Sequence, residues 1–340
     1  RREVYLCYTV ASQADDGTRV SRFRYTTDPE VRIDAASEQQ ILTFGSGSHN
    51  GGCLRFGPDG CLYVSTGDAR PPTSADGLNT GQRIDDLLAS ILRIDVRDHQ
   101  TYAIPDDNPF VGLNNARGEV WAYGVRNPWK MAFEPHDGSL WVGDVGWETW
   151  EMVHRLQSGS NGGWSAKEGP LTVKPDIDTG PSPIQAPVHV YDHSQGLSIT
   201  GGGFYQSERL PDLQDAYLFG DYISGKVWGI WQHEGRIKRQ ALLADSQVMI
   251  VSFGQLPDGE VVALSWGGDA QLYRLVPRLD ESGEPGTDQT ASDQFPRRLS
   301  ESGLFESVAP LKPAQGVYEF EVNEGLWSGP AIVTRHVAIP

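Results

Sequence analysis

Short apolar runs, several of them alternating with polar residues, recur from the start of the chain to about residue 275. Runs of this length that are bounded by glycine, proline and small polar residues predict β-strands. One stretch, Asp85–Ser90, is expected to form a single helical turn. The pattern therefore predicts an all-β chain, with its first strands over Arg2–Val10, Thr18–Thr26, Ile41–Phe44, Cys53–Phe56 and Cys61–Ser65.

A hairpin at residues 45–68 shows this pattern most clearly. Its sequence is GSGSHNGGCLRFGPDGCLYVSTGD, in which two apolar strands flank the turn Gly57–Gly60. Proline presets φ at the first corner of the turn, and aspartate and glycine tolerate the remaining corner. His49 comes just before the first strand, so we expect it at a loop end, where a rigid scaffold holds it and leaves it exposed.

The same hairpin plan returns twice further along the chain. A second copy lies within residues 124–142, and a weaker third copy lies within residues 249–264. The matching corner of the three copies, seven residues before the residue that precedes the turn, is occupied by His49, Arg126 and Val248. Repeated hairpins predict a β-propeller, whose inner strands converge on one axis. A β-sandwich with coincidental turns is the alternative.

The composition changes near Pro277 and predicts a division of the chain. We expect the propeller to span residues 1–278 and to begin partway through a first, incomplete blade. Residues 279–303 are acidic and poor in apolar side chains, which predicts a linker. Residues 304–340 contain strand-like pieces but are too few to bury a core alone. They are expected to form a partial C-terminal module or an arm on the propeller.

The charge of the chain restricts its partners. The 340 residues carry a net charge of −17, which argues against nucleic acid, because phosphate binding needs clustered lysine and arginine. An acidic surface is compatible with calcium, but the interpretation that it favours is an ordinary solvated surface. No apolar run has the length of a membrane span. The sequence opens on Arg1, so a missing signal peptide is not evidence for a cytoplasmic location.

Longer motifs follow one another in a fixed order between about residues 40 and 275. They are HNGG-x₃-FGPDG-x-LYVSTGD, ILRIDV, IPDDNPF, WAYGVRNPW, LWVGDVGWETWE, GWSAKEGP, ITGGGFY and FGDYISGKVW. Together they resemble the glucose/sorbosone dehydrogenase family. The resemblance implies a six-bladed β-propeller, periplasmic or secreted. It also implies oxidation of aldose sugars with pyrroloquinoline quinone (PQQ), held by calcium at the top of the channel.

The resemblance assigns catalytic roles to three residues. His49 matches the base that takes the proton of the sugar C1 hydroxyl, and Asp68 matches the carboxylate that fixes the imidazole tautomer. Arg126 matches the arginine beside the reactive quinone carbonyl, where a fixed cation stabilises a developing oxyanion. Taken without the resemblance, these residues are also compatible with a structural histidine, a turn cap and an arginine paired with an acidic loop.

The resemblance also assigns the residues around the cofactor. Asn127 and Arg126 match contacts to the quinone. Gly146 and Trp147 match positions whose backbone carbonyls hold the calcium ion. Loop bracing or a surface position, with calcium binding as a weaker alternative, is expected for the neighbouring glutamates Glu148, Glu151 and Glu168.

Three positions depart from the family pattern. The quinone enzymes of the family carry lysine or arginine where this chain has Ile223, Met249 and Val251. PQQ carries three carboxylates, and each charged hydrogen bond contributes about 1.5–3 kcal/mol. Loss of three cations therefore corresponds to roughly thousands-fold weaker binding. Lys226 does not replace them, because an odd offset from Ile223 along a strand places it on the other face. These residues weigh against PQQ.

The sequence leaves three functions open. The first is a quinone-dependent oxidoreductase that oxidises the C1 hydroxyl of an aldose sugar or related polyol, with an electron acceptor that the sequence does not identify. The second is a non-catalytic propeller that binds a carbohydrate or a protein, as in relatives similar to hedgehog-interacting protein. The third is a calcium-dependent hydrolase such as a lactonase, favoured if Asp68 and Asp221 converge on one metal ion.

Overall fold

The computed structural model describes residues 2–11, 13–27, 31–69, 73, 75–97, 99–267 and 270–277, together with short C-terminal strands. The predicted all-β class is confirmed, since a 3-10 helix, Pro211–Leu213, is the one helix among these residues. No helix in the described ranges has the length and apolar character needed to cross a lipid bilayer. Internal contacts divide the chain into two units, Arg1–Val276 and Pro277–Pro340.

The first unit is built from antiparallel sheets in which successive strands lie side by side. The first sheet contains β1 (Glu3–Thr9), β2 (Thr18–Thr26) and β3 (Arg32–Phe44). The second contains β4 (Leu54–Phe56), β5 (Leu62–Thr66), β6 (Ser90–Ile94) and β7 (Val120–Tyr123). The third contains β8 (Pro128–Phe133), β9 (Leu140–Asp144), β10 (Trp150–Leu156) and β13 (His189–Asp192), and the ribbon β11 (Lys167–Glu168) and β12 (Leu171–Thr172) lies in its last connection.

Two further sheets complete the described part of this unit. The fourth sheet contains β14 (Ile199–Phe204), β15 (Tyr217–Asp221), β16 (Lys226–His233) and β17 (Arg236–Asp245). The fifth contains β18 (Ile250–Gln255), β19 (Val261–Ser265) and β20 (Leu272–Arg274). Successive strands therefore pair in meanders, which is the connection that tight hairpin turns impose.

The first strands of the sheets lie around a shared axis. Strand β1 contacts β4, β8 contacts β5 and β14, and β14 contacts β18. Residues of β4, β8, β14 and β18 together line a cavity of about 550 Å³. This is the arrangement of a propeller, because the inner strands of its blades border a central channel. We call the end at which these inner strands begin the upper end of the channel.

Glycines let the third and fourth sheets approach each other closely at the channel. A Cβ on Gly143 would lie 2.4 Å from the Cα of Gly201, and a Cβ on Gly201 would lie 2.7 Å from the Lys130 carbonyl oxygen. Gly201 also has a φ of +74°, which glycine adopts without strain. The ring of Trp141 packs edge-on against the ring of Phe204, with centroids 5.6 Å apart. Close main-chain contact and aromatic packing thus hold these sheets together.

Residues 85–90 do not form the predicted helical turn. They form bends, and Ser90 is already the first residue of β6. A carboxylate oxygen of Asp86 accepts the N–H of Leu88 (2.8 Å), and the Ser90 hydroxyl donates to the Leu88 carbonyl (2.8 Å). Local side-chain hydrogen bonds of this kind compete with the main-chain bonds of a helix, and here they replace them.

The second unit contains two antiparallel ribbons. One pairs β21 (Phe305–Val308) with β22 (Leu311–Pro313), and the other pairs β23 (Val317–Glu321) with β24 (Thr334–Ala338). The predicted linker, residues 279–303, lies outside the described residues. Two-stranded ribbons are marginally stable by themselves, in line with the small size of this unit.

Candidate active site

The loops before β4, after β5 and before β8 bring three predicted residues together at the upper end of the channel. His49 precedes β4, Asp68 follows β5, and Arg126 precedes β8. The N–H of Asp68 donates to the Arg126 carbonyl (2.9 Å), and the N–H of Ala69 donates to the His49 carbonyl (3.0 Å). A Cβ on Gly67 would lie 2.4 Å from the His49 carbonyl oxygen, so glycine is required there. Main-chain contacts therefore position these side chains.

A carboxylate holds one side of the His49 ring. Nδ1 of His49 lies 2.7 Å from Oδ1 of Asp68, and the indole N–H of Trp164 donates to Oδ2 of the same carboxylate (2.9 Å). Asp68 and Trp164 are buried, and so is His49, which is 7% exposed, so the expectation that the loop end leaves His49 exposed is wrong. An ionised carboxylate only accepts hydrogen bonds, so it keeps the proton of a neutral imidazole on Nδ1. The lone pair on Nε2 can then receive a proton.

A guanidinium stands on the other side of the ring. Nη2 of Arg126 lies 3.3 Å from Nε2 of His49, and Nη1 donates to the Val145 carbonyl (3.2 Å). Burial lowers the pKa of Arg126, and the charges of Asp68 and Asp144 oppose this shift. Arginine stays protonated in proteins. A fixed cation is therefore placed beside the nitrogen that can act as a base.

Asp144, at the end of β9, supports the corner that carries Arg126. Its carboxylate accepts the N–H of Arg126 (2.9 Å) and the N–H of Asn127 (2.7 Å). Burial raises the pKa of Asp144 to about 7, although these hydrogen bonds and the Arg126 charge act in the opposite direction. Oδ1 of Asn127 accepts the N–H of Gly51 (3.3 Å). The predicted cofactor contact Asn127 thus lies beside the catalytic candidates.

The two predicted calcium ligands, Gly146 and Trp147, lie on a turn between β9 and β10. Four successive N–H groups, from Trp147 to Trp150, donate to Oε1 of Glu168 at 2.7–3.1 Å, and the N–H of Gly146 donates to Glu151 (3.2 Å). Both glutamates are fully buried and brace the turn, so a surface position is wrong for them. In the described ranges, no group of three or more His, Cys, Asp or Glu side chains could hold a metal ion. Calcium at the Gly146 and Trp147 carbonyls stays a prediction.

A cleft of about 300 Å³ opens beside this cluster, and its lining includes Asn127, Val145 and Val251. Val251 is one of the positions where the family pattern has a cation. The other two, Ile223 and Met249, are 53% and 40% exposed. The structure thus brings one apolar replacement into the lining and leaves the other two open to solvent.

The two aspartates that would favour a hydrolase have separate partners. Asp221 accepts the hydroxyl of Tyr191 (2.9 Å) and the N–H groups of Ser198 (2.8 Å) and Ser224 (2.7 Å). Asp68 instead serves His49 and Trp164, as described above. Within the described part of the chain, the convergence on one metal ion is therefore not found.

Sequence reasoning missed two supporting side chains. Trp164 lies within a motif of the family, but it is 96 positions from Asp68, and no local pattern indicates their contact. For Asp144, in contrast, the sequence contains a signal that could have been used. Gly-Asp follows the second strand of the first hairpin, at Asp68, and Gly-Asp ends the second strand of the next hairpin, at Asp144. Aligning the repeats to their ends would have paired these carboxylates.

Fold and site together define a propeller with a histidine–carboxylate pair and an arginine at one end of its channel. Residues 1–274 match the Glucose / Sorbosone dehydrogenase family, and the chain belongs to it. It is 35% identical to the HIPL2 protein of Arabidopsis thaliana over 253 residues, which are 63% of this chain and 36% of that protein. It is 27% identical to Aldose sugar dehydrogenase YliI of Escherichia coli (strain K12) over 290 residues, which are 82% of this chain and 74% of that protein.

A solved structure of a glucose dehydrogenase shares this fold. The TM-score is 0.68 at 25% sequence identity, with 82% of this chain and 79% of that chain covered. The predicted β-propeller is thereby confirmed, and the β-sandwich alternative is wrong. The chain spans only about a third of the length of the HIPL2 protein, 36%.

Proposed function

We propose that this protein oxidises the C1 hydroxyl of an aldose sugar or a related polyol and passes hydride to an acceptor of the quinone class. One observation carries the proposal: Nδ1 of His49 lies 2.7 Å from Asp68, while Nε2 lies 3.3 Å from Arg126. A base of fixed tautomer beside a fixed cation suits the removal of a proton from a hydroxyl group. Membership of the family supports the substrate class.

In the proposed reaction the sugar gives its proton and its hydride to two different acceptors. A sugar hydroxyl that takes the place of the Arg126 contact at Nε2 of His49 gives its proton to Nε2. Its oxygen gains negative charge beside the guanidinium, while the C1 hydrogen leaves as hydride with two electrons. A cyclic aldose becomes a lactone. The carboxylate of Asp68 stabilises the imidazolium that forms.

The residues around the cleft do not fit PQQ. A molecule with three carboxylates needs cations or several hydrogen-bond donors, because burying an unpaired charge is costly. Val251 supplies neither where it lines the cleft, and Ile223 and Met249 are apolar as well. A quinone with fewer charges therefore suits this chain better than PQQ.

The test is a dye-linked oxidation assay with an aldose, a quinone and the purified protein, with and without calcium. His49→Ala should lower kcat by about 10²–10⁴ while the protein stays folded, because loss of a general base has this effect. His233→Ala, which replaces an exposed histidine, is the matched control and should keep wild-type turnover. Near-normal turnover of His49→Ala would remove His49 from the mechanism.

A non-catalytic propeller that binds a carbohydrate or a protein is the second candidate. The apolar residues Ile223, Met249 and Val251 favour it, because they remove the charges that a PQQ-dependent enzyme uses. Binding of a glycan or protein by a wild-type protein that oxidises no aldose with any quinone would establish this alternative.

Calcium binding at Gly146 and Trp147 and a periplasmic or secreted location belong to the same proposal. Both are supported by the resemblance to sugar dehydrogenases. Equilibrium dialysis with calcium tests the first, and fractionation of cells that express the natural gene tests the second.

A further inference from the structure

The cleft beside Asn127 is walled mainly by rings and aliphatic groups. Its aromatic residues are Trp129, Tyr222 and Trp266, and its aliphatic residues are Val145, Ile199 and Val251. A volume of about 300 Å³ is that of a small-molecule site. Trp266 is 62% exposed, so the cleft is open to solvent beside this ring. The lining favours a flat and largely apolar ligand.

Some polar atoms of the residues that line the cleft already form hydrogen bonds within the protein. The indole N–H of Trp129 donates to the Val251 carbonyl (2.8 Å), and the hydroxyl of Thr200 donates to the Ile250 carbonyl (2.5 Å). The polar residues Asn127, Ser198 and Tyr222 also belong to the lining. A ligand with one or two carbonyl oxygens matches this small set of donors better than one with many polar groups.

Two buried carboxylates stand directly behind one wall of the cleft. The N–H of Ser198 donates to Oδ2 of Asp221 (2.8 Å), and the N–H of Ile199 donates to Oε2 of Glu151 (2.9 Å). Both carboxyl groups are fully buried. Nε2 of His193 lies 3.1 Å from Glu151, and this contact raises the pKa of His193. A negative ligand at this wall is therefore repelled by Asp221 and by any part of the Glu151 charge that His193 leaves uncompensated.

Positive charges near the cleft lie outside its lining. Among the residues that the structure describes, no lining side chain carries a formal charge. The guanidinium of Arg126 contacts the Val145 carbonyl and the His49 ring. The ammonium of Lys130 lies 5.2 Å from the centroid of the Trp129 ring. An anion in the cleft thus meets buried carboxylates without a cation in the wall to compensate them.

We propose that this cleft binds an uncharged planar quinone, one that has no carboxylate groups. A neutral ring gains from apolar burial and from contact with the aromatic side chains, and it avoids repulsion by the buried carboxylates. The cleft adjoins the catalytic candidates through Asn127 and Val145. If the proposed function holds, this quinone is also the hydride acceptor.

The redox step balances with this acceptor. Hydride from the sugar C1 adds to the quinone and gives a hydroquinone anion, and His49 holds the proton that left the hydroxyl. Protonation of the anion completes the hydroquinone. The sugar has lost two electrons and two protons, and the quinone has gained them. Only this acceptor role rests on the proposed function, whereas the binding does not.

Calorimetric titration of the full chain with 2-methyl-1,4-naphthoquinone and, separately, with PQQ in the presence of calcium tests the binding. We expect the neutral quinone to bind at least about tenfold more tightly, because even one unpaired charge costs PQQ that much. Tighter binding of PQQ overturns the proposal, as does a neutral quinone that does not bind.

A first variant locates the ligand. Trp266→Ala removes an exposed ring of the lining, so the fold should survive, and we expect the Kd of the naphthoquinone to rise by about tenfold. Trp231→Ala removes an indole outside the lining and is the matched control, with an unchanged Kd. Equal effects of the two substitutions place the ligand elsewhere and overturn the proposal.

Charge variants test why the ligand is neutral. The triple variant Ile223→Lys, Met249→Arg, Val251→Arg should bind PQQ at least about tenfold more tightly than the wild type does. Lys130→Gln should leave the Kd values of both quinones unchanged. Unchanged PQQ affinity in the triple variant, or wild-type PQQ binding that depends on Lys130, contradicts the charge argument.

His49→Ala separates this proposal from the proposed function. His49 is not in the lining, so the variant should bind the naphthoquinone with wild-type affinity while it loses aldose oxidation. If the wild type binds the neutral quinone and oxidises no aldose, the binding stands and the proposed function fails. If it oxidises an aldose with PQQ and does not bind the neutral quinone, the outcome is the reverse.

Discussion

The two sides of the upper end of the channel share one hairpin plan and differ in chemistry. On one side, the matching corners of two hairpins carry His49 and Arg126, whose side chains meet above Asp68. On the other side, the third hairpin carries Val248 at this corner, where it packs into an apolar cluster. Val251 of the same hairpin lines an apolar cleft.

The two sides also differ in how deeply their strands are buried. The strands β5 and β9, which complete the first two hairpins, are fully buried, whereas β19 of the third hairpin is partly exposed. Polar residues at a buried corner need fixed partners, and Trp164 and Asp144 supply them on the first side. The hairpin plan therefore determines where a corner residue stands, while distant side chains determine what chemistry that corner can support.

The largest loss of activity is expected from Asp68→Asn, on the side of the channel that carries His49 and Arg126. An amide at this position no longer holds the Nδ1–H tautomer of His49 by charge, and kcat should fall by about 10²–10⁴, the range for loss of such a partner. The dye-linked assay measures it. Asp258→Asn, at an exposed aspartate of the third hairpin, is the control. Similar losses in the two variants would contradict the assignment of Asp68.

A smaller effect on the same side is expected from Trp164→Phe. This change keeps a ring but removes the N–H that donates to Asp68 (2.9 Å). A hydrogen bond to a charged group contributes about 1.5–3 kcal/mol, so kcat should fall by roughly 10–100-fold. The Kd of a quinone in the cleft should not change. Trp231→Phe is the control, and a shift of quinone affinity without a loss of kcat would refute this role of Trp164.

The smallest effect concerns the pH dependence of stability. The pKa of Asp144 is raised to about 7 by burial, from an unfolded value of about 3.9. The folded protein therefore binds more protons than the unfolded chain between about pH 4 and 7, and this share of its stability is lost as pH rises through that window. Asp144→Asn stays neutral, so its melting temperature should fall less across the window.

Melting curves of Asp144→Asn, the wild type and Asp16→Asn across this range check the expectation. Asp16 is exposed, so its substitution should leave the wild-type pH slope in place. A slope in Asp144→Asn that equals the wild-type slope would mean that Asp144 does not titrate in this range. The main-chain hydrogen bonds of Arg126 and Asn127 to Asp144 would then outweigh its burial.

The fold was largely predictable because strands and tight turns are local patterns. The strand over Thr18–Thr26 agrees with the structure at both ends. The turn at Gly57–Gly60 also joins two strands as expected. The helical turn at residues 85–90 was wrong because single side chains there, Asp86 and Ser90, take over the hydrogen bonds of the main chain.

The site was predictable only in part. His49 and Arg126 follow from the repeated hairpin and the family motifs, and the structure brings them within 3.3 Å. The contact of Trp164 with Asp68 could not be predicted from the sequence, because it joins segments 96 positions apart. The cleft could not be predicted from the sequence either, because its walls come from separate stretches that include Trp129, Tyr222 and Trp266.

The contacts of Glu168 determine which substitutions the turn at residues 147–150 can accept. Its Oε1 accepts hydrogen bonds from main-chain N–H groups of residues 147–150. These contacts need only a main-chain N–H, so they are compatible with every side chain except proline. The turn can therefore accept new side chains beside the candidate active site while its shape is retained, as long as Glu168 is kept. This makes residues 147–149 a natural place to randomise in a library that seeks altered substrate selectivity.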